Sequence, residues 1–202
     1  MKKSLLFGTL CAAIISIVAL PIHAALIDFE GASGVAPIGE FLDVGDYRFT
    51  LTGGGSGVLV IITSSNIIEA DTTKLFATNH SEITMTRIDG GAFNLLSLDI
   101  SGSWVDPEDW RRWADSVDII AGASTTNVVL DGTPATYQNI VLNYLDVTNV
   151  QFDPIINDNL AANSYEFVID NLSVSAVPVP TAVWLFGSGL LVLIGIARRK
   201  AA

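Results

Sequence analysis

The protein has 202 residues, a formal net charge of −11 at pH 7 and a single cysteine, Cys11. Five of its 10 basic residues lie in the two terminal segments, so residues 25–176 hold 5 basic against all 21 acidic side chains, a net charge of about −16. A field of that sign repels nucleic acid and anionic polymers and attracts divalent cations, which excludes a nucleic-acid-binding function. Because Cys11 lies near the N-terminus, residues 25–176 contain no disulfide and no cysteine-ligated metal.

The N-terminal segment has the composition of an export signal. A pair of lysines precedes an apolar run over 5–20, and Pro21 ends any helix before Ala24. A short positive region, an apolar region and a small residue before the cut are the three parts of a secretory signal peptide. The sequence therefore predicts a signal peptide over 1–24, with cleavage after Ala24, or after Ala25 as the alternative.

The middle of the chain has the periodicity of β-strands. Residues 47–52 alternate between apolar and polar side chains, as in a strand with one buried face. Other short runs are rich in Val, Ile, Thr and aromatic residues and are separated by Gly, Asn, Asp and Pro. This pattern predicts an all-β fold for 25–176, an antiparallel β-sandwich or jelly roll. The predicted strands are 26–29, 47–52, 58–63, 82–88, 93–101, 116–121, 127–130, 137–144, 148–153 and 165–175.

One segment departs from the strand pattern. Asp106 can cap a short helix and Pro107 suits its first position, which places Trp110 and Trp113 on one helical face at i, i+3. Sugar-binding modules stack pyranose rings on exposed aromatic side chains. Trp104, Trp110 and Trp113 are therefore the candidate carbohydrate-binding residues. The alternative is that the two helical tryptophans pack in the core.

The motifs for catalysis are weak, and we predict that the protein is not an enzyme. The glycine-rich stretch 53–57 precedes a strand-like run instead of the helix that a phosphate-binding loop requires, so it is interpreted as a hairpin loop. After removal of the signal peptide the sole histidine is His80, in a polar turn, and no histidine pair exists for zinc. Carboxylates are plentiful enough that a glycoside hydrolase remains a third hypothesis.

The two ends of the domain carry the residue types that calcium prefers. The domain begins with IDFEG and ends with FVIDNLSV, and a jelly roll brings its ends side by side. This pairing is similar to that of carbohydrate-binding jelly-roll modules, whose terminal strands often share a structural calcium and whose last strand commonly reads F-x-x-D-N-x-x-V. The resemblance implies Glu30 and Asp170 as calcium ligands, with Asp28 and Asn171 behind them. The alternative is a polar edge pair without metal.

The C-terminal segment, 177–202, has three parts: a proline-containing spacer, an apolar run over 182–197 and a basic end. A transmembrane helix over the run is about 24 Å long at about 1.5 Å per residue, against about 30 Å for a bilayer's hydrocarbon core, so it crosses with local thinning. The basic end should stay in the cytoplasm and everything upstream should be exported. The plain interpretation is a single-pass anchor. The basic residues are Arg198, Arg199 and Lys200.

The same segment resembles the PEP-CTERM sorting signal in its VPxP variant. The resemblance rests on the VPVP motif at 177–180, on WLFGSGLL within the apolar run and on the Arg-rich end. In that family an exosortase, an integral-membrane transpeptidase, is taken to recognise the motif and to remove the hydrophobic tail. The protein is then released or attached to the exopolysaccharide-rich outer surface of a Gram-negative bacterium. The motif residues here are Val177, Pro178, Val179 and Pro180, with Val179 in place of the founding motif's Glu.

Together these features predict an exported, acidic, non-enzymatic β-sandwich over 25–176. It would be held briefly by its C-terminal helix and then sorted by an exosortase to the cell surface or extracellular matrix. We expect a structural or adhesive role in the exopolysaccharide layer, and the alternative is a carbohydrate-binding module with a structural calcium.

Overall fold

The computed structural model describes residues 24–53, 57–63, 72–78, 81–102, 114–130, 136–155 and 166–177, together with Gly189. His23–Val177 forms one compact unit, and residues 1–22 and 178–202 group separately from it. No helix among the described residues is long and apolar enough to cross a membrane. The predicted signal peptide, the tryptophan-bearing helix, His80 and nearly all of the predicted transmembrane run lie outside the described residues.

Two antiparallel sheets make up the unit. Sheet A has the strand order β11-β8-β13-β6-β5-β2, with β1 also paired to β13, and sheet B has the order β10-β9-β12-β7-β4-β3. The strands are β1 (Ala25–Ile27), β2 (Gly34–Pro37), β3 (Phe41–Val44), β4 (Tyr47–Thr52), β5 (Val58–Thr63), β6 (Thr73–Ala77), β7 (Glu82–Arg87), β8 (Phe93–Gly102), β9 (Ser116–Ala121), β10 (Ser124–Val129), β11 (Gln138–Val147), β12 (Asn149–Ile155) and β13 (Phe167–Ala176).

The core lies between the sheets and follows from the alternation in the sequence. In β4, every second residue from Tyr47 to Leu51 is buried while Arg48 and its alternates face outward. Buried aromatic rings meet there, with the centroids of Phe29, two residues after β1, and of Phe49 in β4 5.5 Å apart. The buried cluster runs from Ile27 to Val174, so the unit has a hydrophobic core of its own and can fold without the terminal segments.

The prediction of an antiparallel all-β sandwich is confirmed. Each of the ten predicted strands overlaps an observed one, and 58–63 and 116–121 coincide with β5 and β9. The run after the glycine-rich stretch is a strand, as predicted. The sequence interpretation missed β2, β3 and β6, which are short. β6 also contains Lys74, which is 0% exposed, so its composition does not resemble that of a buried strand.

Gly57, at the start of β5, is the position where the backbone packing tolerates no side chain. A Cβ atom there would overlap both Oγ of Ser81 and the backbone oxygen of Thr78. We expect Gly57→Ala to lower the free energy of unfolding by about 3 kcal/mol, because a backbone oxygen cannot rotate away. Urea unfolding of the domain 25–177 measures this loss.

Gly34→Ala is the matched control, since its Cβ would meet only a methyl group of Leu42, a flexible side chain. We expect this variant to lose less than about 1 kcal/mol. Equal stability of the two variants would contradict the close approach at Gly57.

Candidate functional site

Strand β13 is shared along one edge by two strands that meet end to end. β6 pairs with Phe167–Ile169, and β1 pairs with Leu172–Val174. Asp170 and Asn171 fall between them, and Asn171 has a φ of 49°. On the other side of β13 the register against β8 shifts at the same point. This bulge directs polar side chains toward the place where β1 and β6 meet, which we call the junction.

Glu30 closes the junction between the two abutting strands. It follows β1, and its Oε1 accepts a hydrogen bond of 2.9 Å from the backbone N–H of Thr73, the first residue of β6. Its Oε2 accepts a second bond, of 3.2 Å, from Oγ1 of the same threonine. The Glu30 carboxylate therefore accepts the hydrogen bond of the backbone N–H at the start of β6 and connects the segment after β1 to β6. The predicted proximity of the two ends of the domain is confirmed by the β1–β13 pairing.

Asp170 is the most deeply buried acid of the junction, at 1% exposed. Its Oδ2 accepts a hydrogen bond of 3.1 Å from Thr72, and its Oδ1 accepts one of 2.8 Å from the N–H of Asn171. Burial, with a smaller contribution from the charges of Asp99 and Glu30, outweighs the two hydrogen bonds and raises the pKa of Asp170 to about 6. The folded domain thus holds a carboxyl group that titrates close to neutrality.

Asp99 lies opposite Asp170 in the register of β8 and β13 and is held by two amides. Its Oδ1 accepts a hydrogen bond of 2.7 Å from Nδ2 of Asn139, and its Oδ2 accepts one of 2.8 Å from Nδ2 of Asn171. The sequence analysis singled out Asn171 but missed Asp99 and Asn139. Only the strand register brings these residues to the junction, because they are distant in sequence.

The oxygen atoms at the junction are of the type that calcium prefers as ligands. Glu30 and Asp170 supply carboxylate oxygens, each with lone pairs beyond those that accept the bonds described above. Asp28 is turned toward the backbone, where its Oδ1 accepts a bond of 3.1 Å from the N–H of Glu30, and the Asn171 amide nitrogen faces Asp99. Within the described ranges, no group of three or more Asp, Glu, His or Cys side chains is arranged to hold a metal ion. Calcium therefore stays a prediction, with Glu30 and Asp170 as its ligands.

The outer face of sheet B, which we call the polar face, is a second candidate. Strand register aligns polar side chains across the sheet, for example Thr50 beside Thr84 and Thr84 beside Gln151. Hydrogen bonds link several of them, including Gln151 Nε2 to Glu82 Oε2 at 2.5 Å. The polar members of this face are Asp43, Arg48, Thr50, Thr52, Glu82, Thr84, Thr86, Asp118, Thr125, Asn127, Asn149, Gln151 and Asp153, and the apolar Ile120, Val129 and Ile155 lie on the same face.

One edge of the polar face carries an aromatic ring. Phe41 is 48% exposed, and the guanidinium carbon of Arg48 lies 3.7 Å from the centroid of its ring. Asp43 accepts two hydrogen bonds from the same guanidinium, from Nε at 2.8 Å and from Nη2 at 2.9 Å. These bonds lower the pKa of Asp43. The sequence analysis missed this group, although Phe41 and Asp43 alternate with Leu42 and Val44 as in an amphipathic strand.

Most of the other predicted site residues belong to segments that the structure does not describe. Trp104, Trp110 and Trp113 lie outside the described residues, as do the prolines of the sorting motif and the C-terminal basic residues. Of the motif, only Val177 is described, and its N–H donates to the backbone oxygen of Ala92 at 3.3 Å.

No family model matches the chain, and no curated protein matches it. The chain is similar to several solved structures at TM-scores below 0.5. A DUF4465 family protein from Bacteroides ovatus has a TM-score of 0.42 and 7% identity over 76% of this chain and 99% of its own. A family 29 carbohydrate-binding module complexed with mannohexaose has a TM-score of 0.37 and 16% identity over 77% of this chain and 93% of its own. The C-terminal family 22 carbohydrate-binding module of Clostridium thermocellum Xyn10B has a TM-score of 0.31 and 13% identity over 75% and 91%.

Carbohydrate-binding modules are thus among the structural neighbours, the class that the sequence resembles loosely. At these identities and TM-scores, the neighbours do not determine a ligand or a site for this chain. Its function has to be argued from its own residues.

Asp170 predicts a pH dependence of stability. Its pKa is about 6 in the folded protein against 3.8 for an ordinary aspartate, so the folded state binds the proton more tightly. Its contribution to the free energy of unfolding should fall as the pH rises from about 4 to about 6, by roughly 2–3 kcal/mol. Asp170→Asn should remove this slope. The measurement is the difference in Tm between the two proteins from pH 4 to pH 8 in chelator.

The groups that face Asp170 are Asp99, Glu30 and Tyr137, and Lys74 lies in the neighbouring strand β6. Glu40→Gln, at an exposed acid in the β2–β3 turn, controls for a general loss of charge. A Tm difference between native and Asp170→Asn protein that is the same at every pH would show that Asp170 has an ordinary pKa.

Calcium binding at the junction requires ionised Asp170, so calcium and the proton should compete. We expect calcium to raise Tm at pH 7.5 and to have little effect at pH 5, and Glu30→Ala should abolish the rise. A midpoint at pH 7.5 that is indifferent to calcium and chelator would rule the calcium site out.

Proposed function

We propose that this protein is an exported, non-enzymatic β-sandwich that binds polysaccharide through the polar face of sheet B. The observation that carries the proposal is the alignment of hydroxyl, amide and charged side chains across neighbouring strands of one described sheet. Adjacent strands place these groups about 5 Å apart. That spacing offers donors and acceptors to the closely spaced hydroxyl groups of a sugar chain.

The composition of the polar face favours recognition of neutral chains. Threonine hydroxyls and the amides of Gln151 and Asn127 both donate and accept hydrogen bonds, as sugar hydroxyls do. The exposed edge of Phe41 adds an apolar surface next to the Arg48 guanidinium. The net charge of about −16 over 25–176 repels polyanions. We therefore expect neutral polysaccharides to bind more tightly than acidic ones.

The carboxylates of the polar face support a binding role in preference to hydrolysis. Asp43 is paired with Arg48, which lowers its pKa, and Asp118 accepts a hydrogen bond of 2.6 Å from Asn127. A glycosidase needs one carboxylic acid whose pKa is raised, so that it can donate a proton to the leaving group. Asp43 is shifted in the opposite direction.

The terminal segments support delivery to the cell surface. The signal-peptide pattern over 1–24 favours export, and the VPxP motif, apolar run and basic end favour recognition by an exosortase. On this proposal the domain is anchored briefly in the inner membrane and then joins the surface or matrix of a Gram-negative cell. If no polysaccharide binds, a structural or adhesive role in that layer is the remaining hypothesis.

Binding should depend on the polar face. We expect the double variant Thr84→Val, Gln151→Ala to lower the affinity for a retained polysaccharide about tenfold or more, since it removes hydrogen bonds in the middle of the face. Affinity electrophoresis of the domain 25–177 in gels that contain neutral polysaccharides, alginate or the exopolysaccharide of the host gives the measurement.

The matched control is Ser97→Ala, Ser173→Ala, which removes two hydroxyl groups from strands of sheet A. Retention that is lost in Trp110→Ala or Trp113→Ala and unaffected by the polar-face variant would assign binding to the tryptophan segment. A native domain that no gel retards would overturn the polysaccharide proposal.

Export and sorting predict a specific mature mass. The protein recovered from its native host should lack residues 1–24 and the apolar run over 182–197, and any attached polymer would add to its mass. Intact-protein mass spectrometry reads both cleavages at once. A surface protein that still contains Trp184 and Leu190 would be a plain membrane-anchored protein, not an exosortase product.

A further inference from the structure

The N-terminal segment 25–30, which we call the arm, is attached to the domain along one strand edge and by two apolar side chains. Among the described strands, β1 pairs with β13 alone, through Ala25–Ile27. Ile27 is 7% exposed and Phe29 is 1% exposed, and both belong to the core. Ala25 and Leu26 are exposed. The arm therefore fills a slot in the sandwich through Ile27 and Phe29, while its first two residues stay near solvent.

The arm is joined to β2 by a tight turn that carries backbone strain. The N–H of Ala32 donates to the backbone oxygen of Phe29 at 3.0 Å, and Gly31 has a φ of 77°, as at the third position of a type II turn. Phe29 itself has a φ of 56°. Asparagine and aspartate tolerate a positive φ, whereas a bulky residue adopts it only under strain. Within the described ranges, the other non-glycine residues at positive φ are Asn143, Asp146 and Asn171.

The contacts that hold the arm do not depend on which copy of the chain supplies it. They are the pairing with β13, the packing of Phe29 on Phe49 and the hydrogen bonds from Thr73 to Glu30. The arm of a second copy would make all of them, and an extended linker over 31–33 would replace the strained turn. Because the predicted cleavage after Ala24 makes Ala25 the mature N-terminus, the arm can leave its slot without unthreading any other strand.

From these features we infer that two copies of this chain exchange their arms, so that the arm of each copy fills the slot of the other. The partner is a second copy because the slot already fits this sequence, and exchange keeps the contacts of the arm while it relieves the strain at Phe29. Reciprocal exchange closes into a two-fold dimer. The dimer carries two polar faces, so under the proposed function it contacts two polysaccharide chains at once.

Paired cysteines report which chain fills the slot, because residues 25–177 contain no cysteine. Leu26 and Ser173 are partners in the register of β1 and β13, and both are at least partly exposed. Directly opposite residues of an antiparallel pair lie within the Cα separation that a disulfide spans. In the oxidised dimer fraction of Leu26→Cys, Ser173→Cys, we expect disulfides that join two chains, so that the protein migrates as a dimer in a non-reducing denaturing gel.

The matched control is Ile120→Cys, Thr125→Cys, at register partners in the hairpin of β9 and β10. Its disulfide should lie within one chain in every fraction, since this hairpin is not exchanged. A dimer of the Leu26→Cys, Ser173→Cys protein that separates into single oxidised chains in the gel would overturn the inference, because each arm would then occupy its own slot.

Gly31→Ala should favour the exchanged dimer. An added Cβ meets nothing within 4 Å, so the substitution acts through the positive φ of the closed turn, which the extended linker does not require. Each dimer avoids two strained turns, and we expect the dissociation constant to fall about tenfold to a hundredfold. Sedimentation equilibrium of the domain 25–177 over a range of concentrations gives the constant.

Gly39→Ala is the control for this substitution, because Gly39 in the β2–β3 turn has a φ of 83° and its added Cβ also meets nothing within 4 Å. It should leave the dissociation constant of the dimer at the native value. Equal constants in the two glycine variants would overturn the inference, as would native and Gly31→Ala domains that both stay monomeric at the highest soluble concentration.

The outcome is distinguishable from that of the polysaccharide proposal. The polar-face variant Thr84→Val, Gln151→Ala should dimerise as the native domain does, since its substitutions lie on sheet B. Polysaccharide retention without a dimer would overturn arm exchange alone. An interchain disulfide in a domain that no gel retards would overturn the polysaccharide proposal alone.

Discussion

The structure depends on how strand β13 is held along one edge. A strand in the middle of a sheet must satisfy its backbone groups on both sides, and here one side is covered by two short strands instead of one long one. Where β1 and β6 meet, the first N–H of β6, that of Thr73, points to a side chain. Glu30 accepts that donor, and the bulge at Asp170 and Asn171 accommodates the gap. The strand topology therefore accounts for the acidic junction without any bound ligand.

The same junction sets the electrostatics of the sheet. The charges of Asp99 and Glu30 disfavour ionisation of Asp170, the most buried of the three acids, whereas its hydrogen bonds from Thr72 and from the N–H of Asn171 favour it. Among the described residues Arg48, Lys74 and Arg87 are the cations, and the two arginines are paired with Asp43 and Asp89 on sheet B and its turns. The repulsion of Asp170 by Asp99 and Glu30 is removed when Asp170 binds a proton, and a divalent cation would reduce it as well. Both therefore act on the same carboxyl group, Asp170.

The sequence alone predicts the fold class because the residue pattern of a strand is a local signal. The alternation at 47–52 and the β-branched residues at 58–63 and 116–121 indicate that each segment is a strand with a buried face. Each strand carries this signal in its own sequence. The short strands β2, β3 and β6 give too little of that signal, and Lys74 in β6 obscures it further. The junction was predicted in part, because Glu30 follows the first strand and Asp170 lies in the last, and a jelly roll pairs these two strands. Asp99 and Asn139 were missed since only the register of β8 and β11 brings them there.

The pairing of the first and last strands also constrains when the domain can fold. Ala25 lies opposite Val174, so β1 has no partner until nearly the whole unit has been synthesised and, on the proposed route, exported. Contacts between residues so far apart in sequence form late, because the loop that they close is long. Until then β13 exposes one edge and the acidic side chains of the junction are solvated. A C-terminal segment that holds the chain at the membrane would retain it while this last pairing forms. The proposed tethering before release therefore suits a domain whose closing strand is the one next to the proposed sorting motif.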